Sequence, residues 1–209
     1  MSLKRRVMTL VAPLALLSLA ACATPFKANV SRFQAMPGPA GQSFVVKPTD
    51  PKLAGTLEFQ EYASDVAAQL QSLGYQPATN PQDATLIVSI SYGVDKGQQK
   101  IVTRPGFPRY APYWGPYRSP YYWGWADPYW YDPFGYPEID SYTVYTSQFT
   151  MTIDEAANGR QVFEGSAKAR STQDSLPELV PKLITAMFTN FPGHSGEEVR
   201  ITVPPPPRR

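Results

Sequence analysis

Alternating apolar and polar positions along the chain predict a β-sheet. In Leu86–Val94, apolar side chains occupy every second position, a pattern typical of a strand with one buried face. The same period of two runs through Tyr142–Ile153 and Gln161–Ser171, and the Asn158-Gly159 pair between them suits a hairpin turn. Shorter strands are predicted at Val30–Phe33, Ser43–Val46 and Val199–Val203.

Two segments have the spacing of amphipathic helices. Apolar residues recur at helical intervals through Phe59–Leu73, and Gly74 is suited to a left-handed C-cap. A longer apolar stripe covers Leu176–Phe191, where Ser175 begins a capping-box pattern and Pro181 predicts a start a few residues later. The order of elements predicts an α+β fold, with two helices packed on one face of a mainly antiparallel sheet.

The amino-terminal segment has the three-part layout of a secretory signal peptide. Three basic residues precede the apolar stretch Val7–Leu19, which is too short for a membrane-spanning helix, and small residues follow. These small residues end at Cys22, the single cysteine of the chain. The sequence Leu19-Ala-Ala-Cys22 resembles the lipobox of bacterial lipoproteins. That resemblance implies cleavage before Cys22, a diacylglyceryl thioether on its sulfur and an acylated new amino terminus. The implied signal-peptidase recognition residues are Leu19, Ala20 and Ala21.

The membrane is the first partner that the sequence predicts, through the lipid on Cys22. The rest of the chain has no second apolar run of about 20 residues, so this lipid is the expected membrane element. Ala23 follows the cysteine, and the resemblance to bacterial lipoproteins then implies the outer membrane, facing the periplasm, rather than the inner membrane. The predicted layout is a signal peptide at 1–21, a lipidated tether at 22–29, one domain at 30–203 and a disordered tail at 204–209.

Charge and cysteine content narrow the class of protein. Removing the leader leaves 188 residues, enough for one domain with its own core. The formal charge of +2 changes sign, because 16 basic and 17 acidic residues remain. A near-neutral chain lacks the basic footprint of a nucleic-acid-binding protein, so no nucleic acid is expected as a partner. Because the lipid modifies the single cysteine, the domain is expected to contain no disulfide and to be stabilised by side-chain packing.

Several local signatures together resemble the bacterial lipoprotein family DUF4136. They are Leu70-Gln-Ser-Leu-Gly-Tyr75, Asp83-Ala-Thr-Leu-Ile-Val88, Gly159-Arg-Gln-Val-Phe-Glu-Gly165 and Phe188-Thr-Asn-Phe-Pro192. The resemblance spans most of Val30–Pro192, with Phe163 where the family often carries tryptophan. It implies a periplasmic, lipid-anchored, single-domain protein. It supplies no catalytic residues, because the family has no known function.

Residues 105–137 form a proline-rich aromatic insertion. All four tryptophans and eight of the 13 tyrosines lie here, interspersed with eight prolines. Proline at this density blocks both helix and central strand, and long irregular loops in compact domains are often functional. The candidate binding surface consists of Tyr113, Trp114, Tyr117, Tyr121, Tyr122, Trp123, Trp125, Tyr129, Trp130 and Tyr131.

The aromatic insertion has several interpretations. Tyrosine and tryptophan are typical of protein-binding hot spots, and their ring faces also stack on sugars of peptidoglycan or lipopolysaccharide. The same side chains suit the headgroup zone of a bilayer. The alternative without a binding role is a loop that folds back and covers the sheet.

Candidate catalytic groups are few, so an enzyme is not expected. His194, the single histidine, follows Pro192-Gly193 in a polar turn, and the chain cannot supply the histidine and cysteine ligands of a zinc site. Neither a metal nor another cofactor is predicted. The sequence therefore favours a binding or scaffolding module that acts through the aromatic insertion on an envelope protein or glycan. A glycan-binding or hydrolytic envelope protein is the alternative.

Overall fold

The computed structural model describes residues 25–104 and 138–204. These residues form two compact units, a sheet domain (25–96 and 145–204) and a ribbon (97–104 and 138–144). The strands are β1 (Phe26–Gln34), β2 (Ser43–Pro48), β3 (Gln76–Pro77), β4 (Leu86–Val94), β5 (Gln98–Arg104), β6 (Glu138–Glu155), β7 (Gln161–Ser171) and β8 (Glu197–Val203). The helices are α1 (Leu57–Ser72) and α2 (Leu176–Phe188), with 3-10 turns at Pro51–Leu53 and Pro81–Asp83.

The strands of the sheet domain lie in the order β3-β2-β4-β6-β7-β1-β8. β2 pairs in parallel with both β3 and β4, whereas β4–β6, β6–β7, β7–β1 and β1–β8 are antiparallel. The sheet is therefore mixed, which corrects the expectation of a mainly antiparallel sheet. The physical reason is the connection from β2 to β4, which runs through α1 and so returns the chain in the same direction.

The core lies between the sheet and the two helices. Alternate residues of the central strands, such as Val88, Phe149 and Ala167, are fully buried against apolar residues of the helices, such as Val66 and Leu183. The α+β class, with two helices and one sheet, is as predicted. Along the same strands the intervening residues face away from this core and, apart from Ile87, are polar or small, which leaves the second face of the sheet mainly hydrophilic.

Several element boundaries differ from the sequence expectations. β1 begins at Phe26, so residues 26–29 lie in a strand although they were expected in the tether. α2 begins directly after Ser175, whose side chain makes no capping hydrogen bond, and Pro181 lies inside the helix. The predicted capping box and later start are therefore wrong. The bounds of β4 and β7 are as predicted, and α1 ends before Gly74, which has the expected positive φ of 95°.

Candidate functional site

The sequence-predicted site residues lie outside the described residues. This holds for Cys22, for Leu19–Ala21 and for all ten aromatic residues of the candidate binding surface between Tyr113 and Tyr131. Their roles stay predictions. The structure does describe the two strands that flank the aromatic insertion.

β5 and the first part of β6 form the ribbon, an antiparallel pair. Its register runs from Gln98 opposite Val144 to Arg104 opposite Glu138. Since Arg104 and Glu138 border the insertion on either side, the pairing brings the two ends of residues 105–137 together. The insertion therefore leaves and re-enters the fold at one place, the end of the ribbon.

Large apolar side chains are exposed on both faces of the ribbon. Ile101 is 68% exposed and Ile139 is 66% exposed, and the register places them diagonally on one face. Val102 and Tyr142 occupy the other face in the same diagonal relation and are also exposed. Diagonal neighbours in such a pair lie about 7 Å apart, so each face carries a small continuous apolar patch.

The hydrophilic face of the sheet domain carries a second candidate site, here called the basic groove. The groove has a volume of about 610 Å³ and is lined by β1, β6, β7 and β8. Among the described residues that line it, four side chains are cationic and one is acidic. Its lining consists of Lys27, Asn29, Ser31, Thr146, Ser166, Lys168, Ala169, Arg170, Glu198 and Arg200.

Strand register brings the cations of the basic groove together. Asn29 lies opposite Lys168 of β7 on one side and opposite Arg200 of β8 on the other. With neighbouring strands about 4.8 Å apart, Lys168 and Arg200 are separated by about 10 Å across Asn29. Lys27 and Arg170 are two residues along their strands from Asn29 and Lys168, so they project from the same face.

Few hydrogen bonds occupy the polar atoms of the basic groove. Arg200 donates from Nε to Oδ1 of Asn29 at 3.2 Å. Within the described part of the chain, Lys27, Lys168 and Arg170 make no side-chain hydrogen bond or salt bridge. The buried hydroxyl of Ser166 likewise has no hydrogen-bond partner among described residues. The groove therefore has donors available for an anionic ligand.

The remaining candidate chemical group from the sequence analysis is His194, which is exposed in the turn between α2 and β8. Among residues 25–104 and 138–204 there is no cluster of three or more side chains able to hold a metal ion. Neither α1 nor α2 has the length and hydrophobicity of a transmembrane segment, and no other α-helix occurs in those ranges.

Sequence reasoning missed the basic groove and part of the ribbon. It placed Lys168 and Arg170 on the outward face of their strand, which the structure confirms. It assigned Lys27 to the tether and did not connect Arg200 to the other cations. The usable signal was the period of two in Phe26–Gln34, where Ala28 and Val30 alternate with polar residues.

Comparisons with known proteins identify the family. A family model described as "Domain of unknown function (DUF4136)" matches residues 29–193. No curated protein matches the chain.

Three solved structures match this chain at low sequence identity. A PDZ domain protein from Parabacteroides distasonis is 11% identical with a TM-score of 0.45; the match covers 88% of this chain and 40% of that protein. A DUF4136 family protein from Bacteroides thetaiotaomicron is 14% identical with a TM-score of 0.39, covering 81% and 97%. A PelC dodecamer from Paraburkholderia phytofirmans is 13% identical with a TM-score of 0.35, covering 75% and 92%. Because the family model matches most of its length, the chain belongs to the DUF4136 family.

Proposed function

We propose that this chain is a lipid-anchored binding module of the bacterial envelope that recognises a protein partner through the ribbon and the aromatic insertion. The observation that carries this proposal is the exposure of apolar side chains on both faces of the ribbon, with Ile101 and Ile139 about two-thirds exposed. An isolated two-stranded ribbon is only marginally stable in water. Packing of these faces on a partner removes apolar surface from water and orders the ribbon at the same time.

The anchor places the module at the periplasmic face of the outer membrane in this proposal. Two or more acyl chains at Cys22 hold a protein on a bilayer, whereas one chain binds only weakly. Since β1 begins at Phe26, only residues 23–25 separate the lipidated residue from the sheet. The four residue steps from Cys22 to Phe26 span at most about 14 Å, so the sheet domain stays close to the membrane.

Binding is favoured over catalysis by the chemistry that the chain carries. The single histidine, His194, is exposed, and the single cysteine is the proposed lipid attachment site. Tyrosine and tryptophan, concentrated in residues 105–137, are the side chains that dominate binding hot spots.

Replacement of the insertion by a short turn tests the binding role. Since Arg104 and Glu138 are paired, an Asn-Gly turn in place of residues 105–137 closes the ribbon as a hairpin. The expected result is a folded protein that loses its partners in cross-linking within cells, identified by mass spectrometry. Unchanged cross-links would show that the partner contacts the chain outside the insertion, unfolding would show that the insertion covers the core, and retention on purified peptidoglycan would identify a glycan instead.

Labelled palmitate tests the anchor separately. The natural chain is expected to incorporate the label and to fractionate with the outer membrane. Cys22→Ser is expected to abolish incorporation, because the thioether requires the cysteine sulfur. Full-length natural protein with a free thiol in the cytosol would exclude the anchor.

A further inference from the structure

We propose that the basic groove binds the phosphate headgroups of an anionic phospholipid bilayer, and so fixes which face of the sheet domain lies on the membrane. The inference rests on the lipid anchor proposed above, but it concerns a different surface from the ribbon. Its ligand class is the phosphodiester anion at a lipid surface.

The positive charge of the groove favours an anionic ligand. Among the described lining residues, Lys27, Lys168, Arg170 and Arg200 share the groove with one carboxylate, that of Glu198. Like charges gathered on neighbouring strands repel one another and destabilise the fold unless an anion neutralises them. The chain beyond the leader is close to neutral, so this cluster is a local feature and not a reflection of overall charge.

The position of the groove favours a membrane as the source of that anion. Lys27 is the second residue of β1, and Phe26 before it lies opposite Val203 at the end of β8. The chain that precedes β1 leads to Cys22, which lies at most about 14 Å from Phe26. The cationic end of the sheet face is therefore the end nearest the lipid.

The far end of the same face differs in charge. There Phe33 lies opposite Glu164, and Glu164 is exposed. A bilayer with anionic lipids attracts the end with Lys27 and repels the end with Glu164, so the face has a preferred direction on the membrane.

The polar lining matches phosphate headgroups. Lysine ammonium and arginine guanidinium groups form strong charge-assisted hydrogen bonds with phosphate oxygens. The hydroxyls of Ser31 and Thr146 and the amide of Asn29 line the space between them and add neutral hydrogen-bonding groups. Such a lining suits a headgroup at the bilayer surface.

A vesicle-binding experiment on the unlipidated chain tests the groove apart from the anchor. The protein is residues 22–209 with Cys22→Ser, which retains every described residue and cannot carry the lipid. It is expected to sediment with phosphatidylglycerol vesicles and not with phosphatidylcholine vesicles, and to be released as salt screens the charges. Lys168→Gln combined with Arg170→Gln is expected to weaken this binding roughly tenfold or more.

A matched variant controls for net charge. Lys47 and Lys52 are exposed and lie outside the groove, so Lys47→Gln combined with Lys52→Gln changes the charge equally. This variant is expected to bind anionic vesicles within about twofold of the parent. Equal losses in the two double variants would overturn the proposal, as would equal binding to both lipids.

Other outcomes also decide the question. Absence of binding to phosphatidylglycerol vesicles overturns the proposal, and binding of soluble hexagalacturonate in its place would assign the groove to an acidic saccharide. If the natural chain incorporated no palmitate in cells but the unlipidated chain still bound vesicles, the proposed anchor would be excluded and the proposed headgroup site would stand. The two proposals can therefore fail separately.

Discussion

Arg32 donates a hydrogen bond from Nη1 to Oε1 of Glu197 at 2.9 Å, joining β1 to the first residue of β8. The arginine is only 1% exposed, and its Nη2 donates to the carbonyl oxygens of Ala186 at 3.1 Å and Thr189 at 2.8 Å. Burial lowers the pKa of Arg32, and the hydrogen bond and charge of Glu197 oppose that effect. The guanidinium supplies donors to carbonyls at the end of α2, where a positive charge is also favoured by the helix dipole. One side chain therefore holds β1, α2 and β8 together.

Arg32→Met is expected to lower the free energy of unfolding by about 3 kcal/mol. Methionine fills part of the space but leaves Glu197 and the two carbonyl oxygens without their donor. Urea unfolding followed by circular dichroism measures the loss, and the slope of the transition checks that the two-state comparison holds.

Glu197→Gln is the matched variant for the same contact. The amide oxygen still accepts a hydrogen bond from Nη1, so the expected loss is smaller, about 1 kcal/mol. If both variants lost the same amount, the carbonyls at the end of α2 would contribute little and the ion pair would carry the contact.

The local pattern of the sequence was sufficient for much of the fold. The period of two in Leu86–Val94 and Gln161–Ser171 gave both strands with their observed bounds, because each buries one face against the helices. α1 was also predictable from its apolar spacing and from Gly74. Arg32 is an exception to this pattern, because it is a charged residue on the same face of β1 as the buried Ala28 and Val30. Its partners lie on α2 and β8, more than 150 residues away, so the strand alone could not reveal them.

The pairing of the strands could not be predicted from the sequence. The cations of the basic groove come from β1, β7 and β8, and only the register of Asn29 with Lys168 and Arg200 brings them together. The parallel pairing of β2 with β4 is likewise a tertiary property, because short apolar strands carry no mark of direction. The ribbon strand β5 has little apolar alternation and was not predicted.

Gly165 is required by close packing in the core. A Cβ atom at this position would lie 2.7 Å from Sδ of Met187 and 2.8 Å from Cε1 of Phe163. Gly165→Ala is therefore expected to lower the free energy of unfolding by about 1–3 kcal/mol, since overpacking forces these side chains from their positions. Thermal unfolding compared with the natural chain measures the change.

Gly93→Ala provides the control for that substitution. Gly93 also lies in a strand of the sheet domain, but no atom of residues 25–104 or 138–204 lies within 4 Å of a Cβ added there. The expected effect is neutral or slightly stabilising, because alanine reduces the freedom of the unfolded chain. Equal destabilisation by both substitutions would mean that sheet geometry, and not contact with Met187, sets the requirement for glycine.

Stability is expected to fall in alkaline solution through buried tyrosines. Burial raises the pKa of Tyr62, with a further contribution from the charge of Glu58, which accepts the Tyr62 hydroxyl hydrogen bond at 3.3 Å. Burial also raises the pKa of Tyr75, whose hydroxyl donates to the carbonyl oxygen of Pro37 at 2.9 Å. In the unfolded chain these phenols ionise near pH 10.

The sign of the pH effect follows from the difference between the tyrosine pKa values of the folded and unfolded states. Above about pH 10 the unfolded state holds fewer protons than the folded state, so the free energy of unfolding decreases as pH rises. Below that pH the contribution is fully present. Urea unfolding at a series of alkaline pH values measures the slope, and Tyr62→Phe is expected to make it shallower. An unchanged slope in Tyr62→Phe would show that this hydroxyl is not the group responsible.

The apolar patch of the ribbon gives the most direct test of the proposed partner surface. Ile101→Ser combined with Ile139→Ser removes the two most exposed apolar side chains of one ribbon face. A photo-cross-linking residue at Thr103, which lies opposite Ile139, reports on whatever approaches that face. The double variant is expected to lose the cross-links, while its free energy of unfolding stays within about 0.5 kcal/mol of the parent's, because the side chains are exposed.

Leu57→Ser, at an 82% exposed position on α1, is the control and is expected to leave the cross-links intact. Cross-links that survived in the double variant would mean that the partner contacts the chain elsewhere, because nothing else on that face of the ribbon offers comparable apolar area among the described residues.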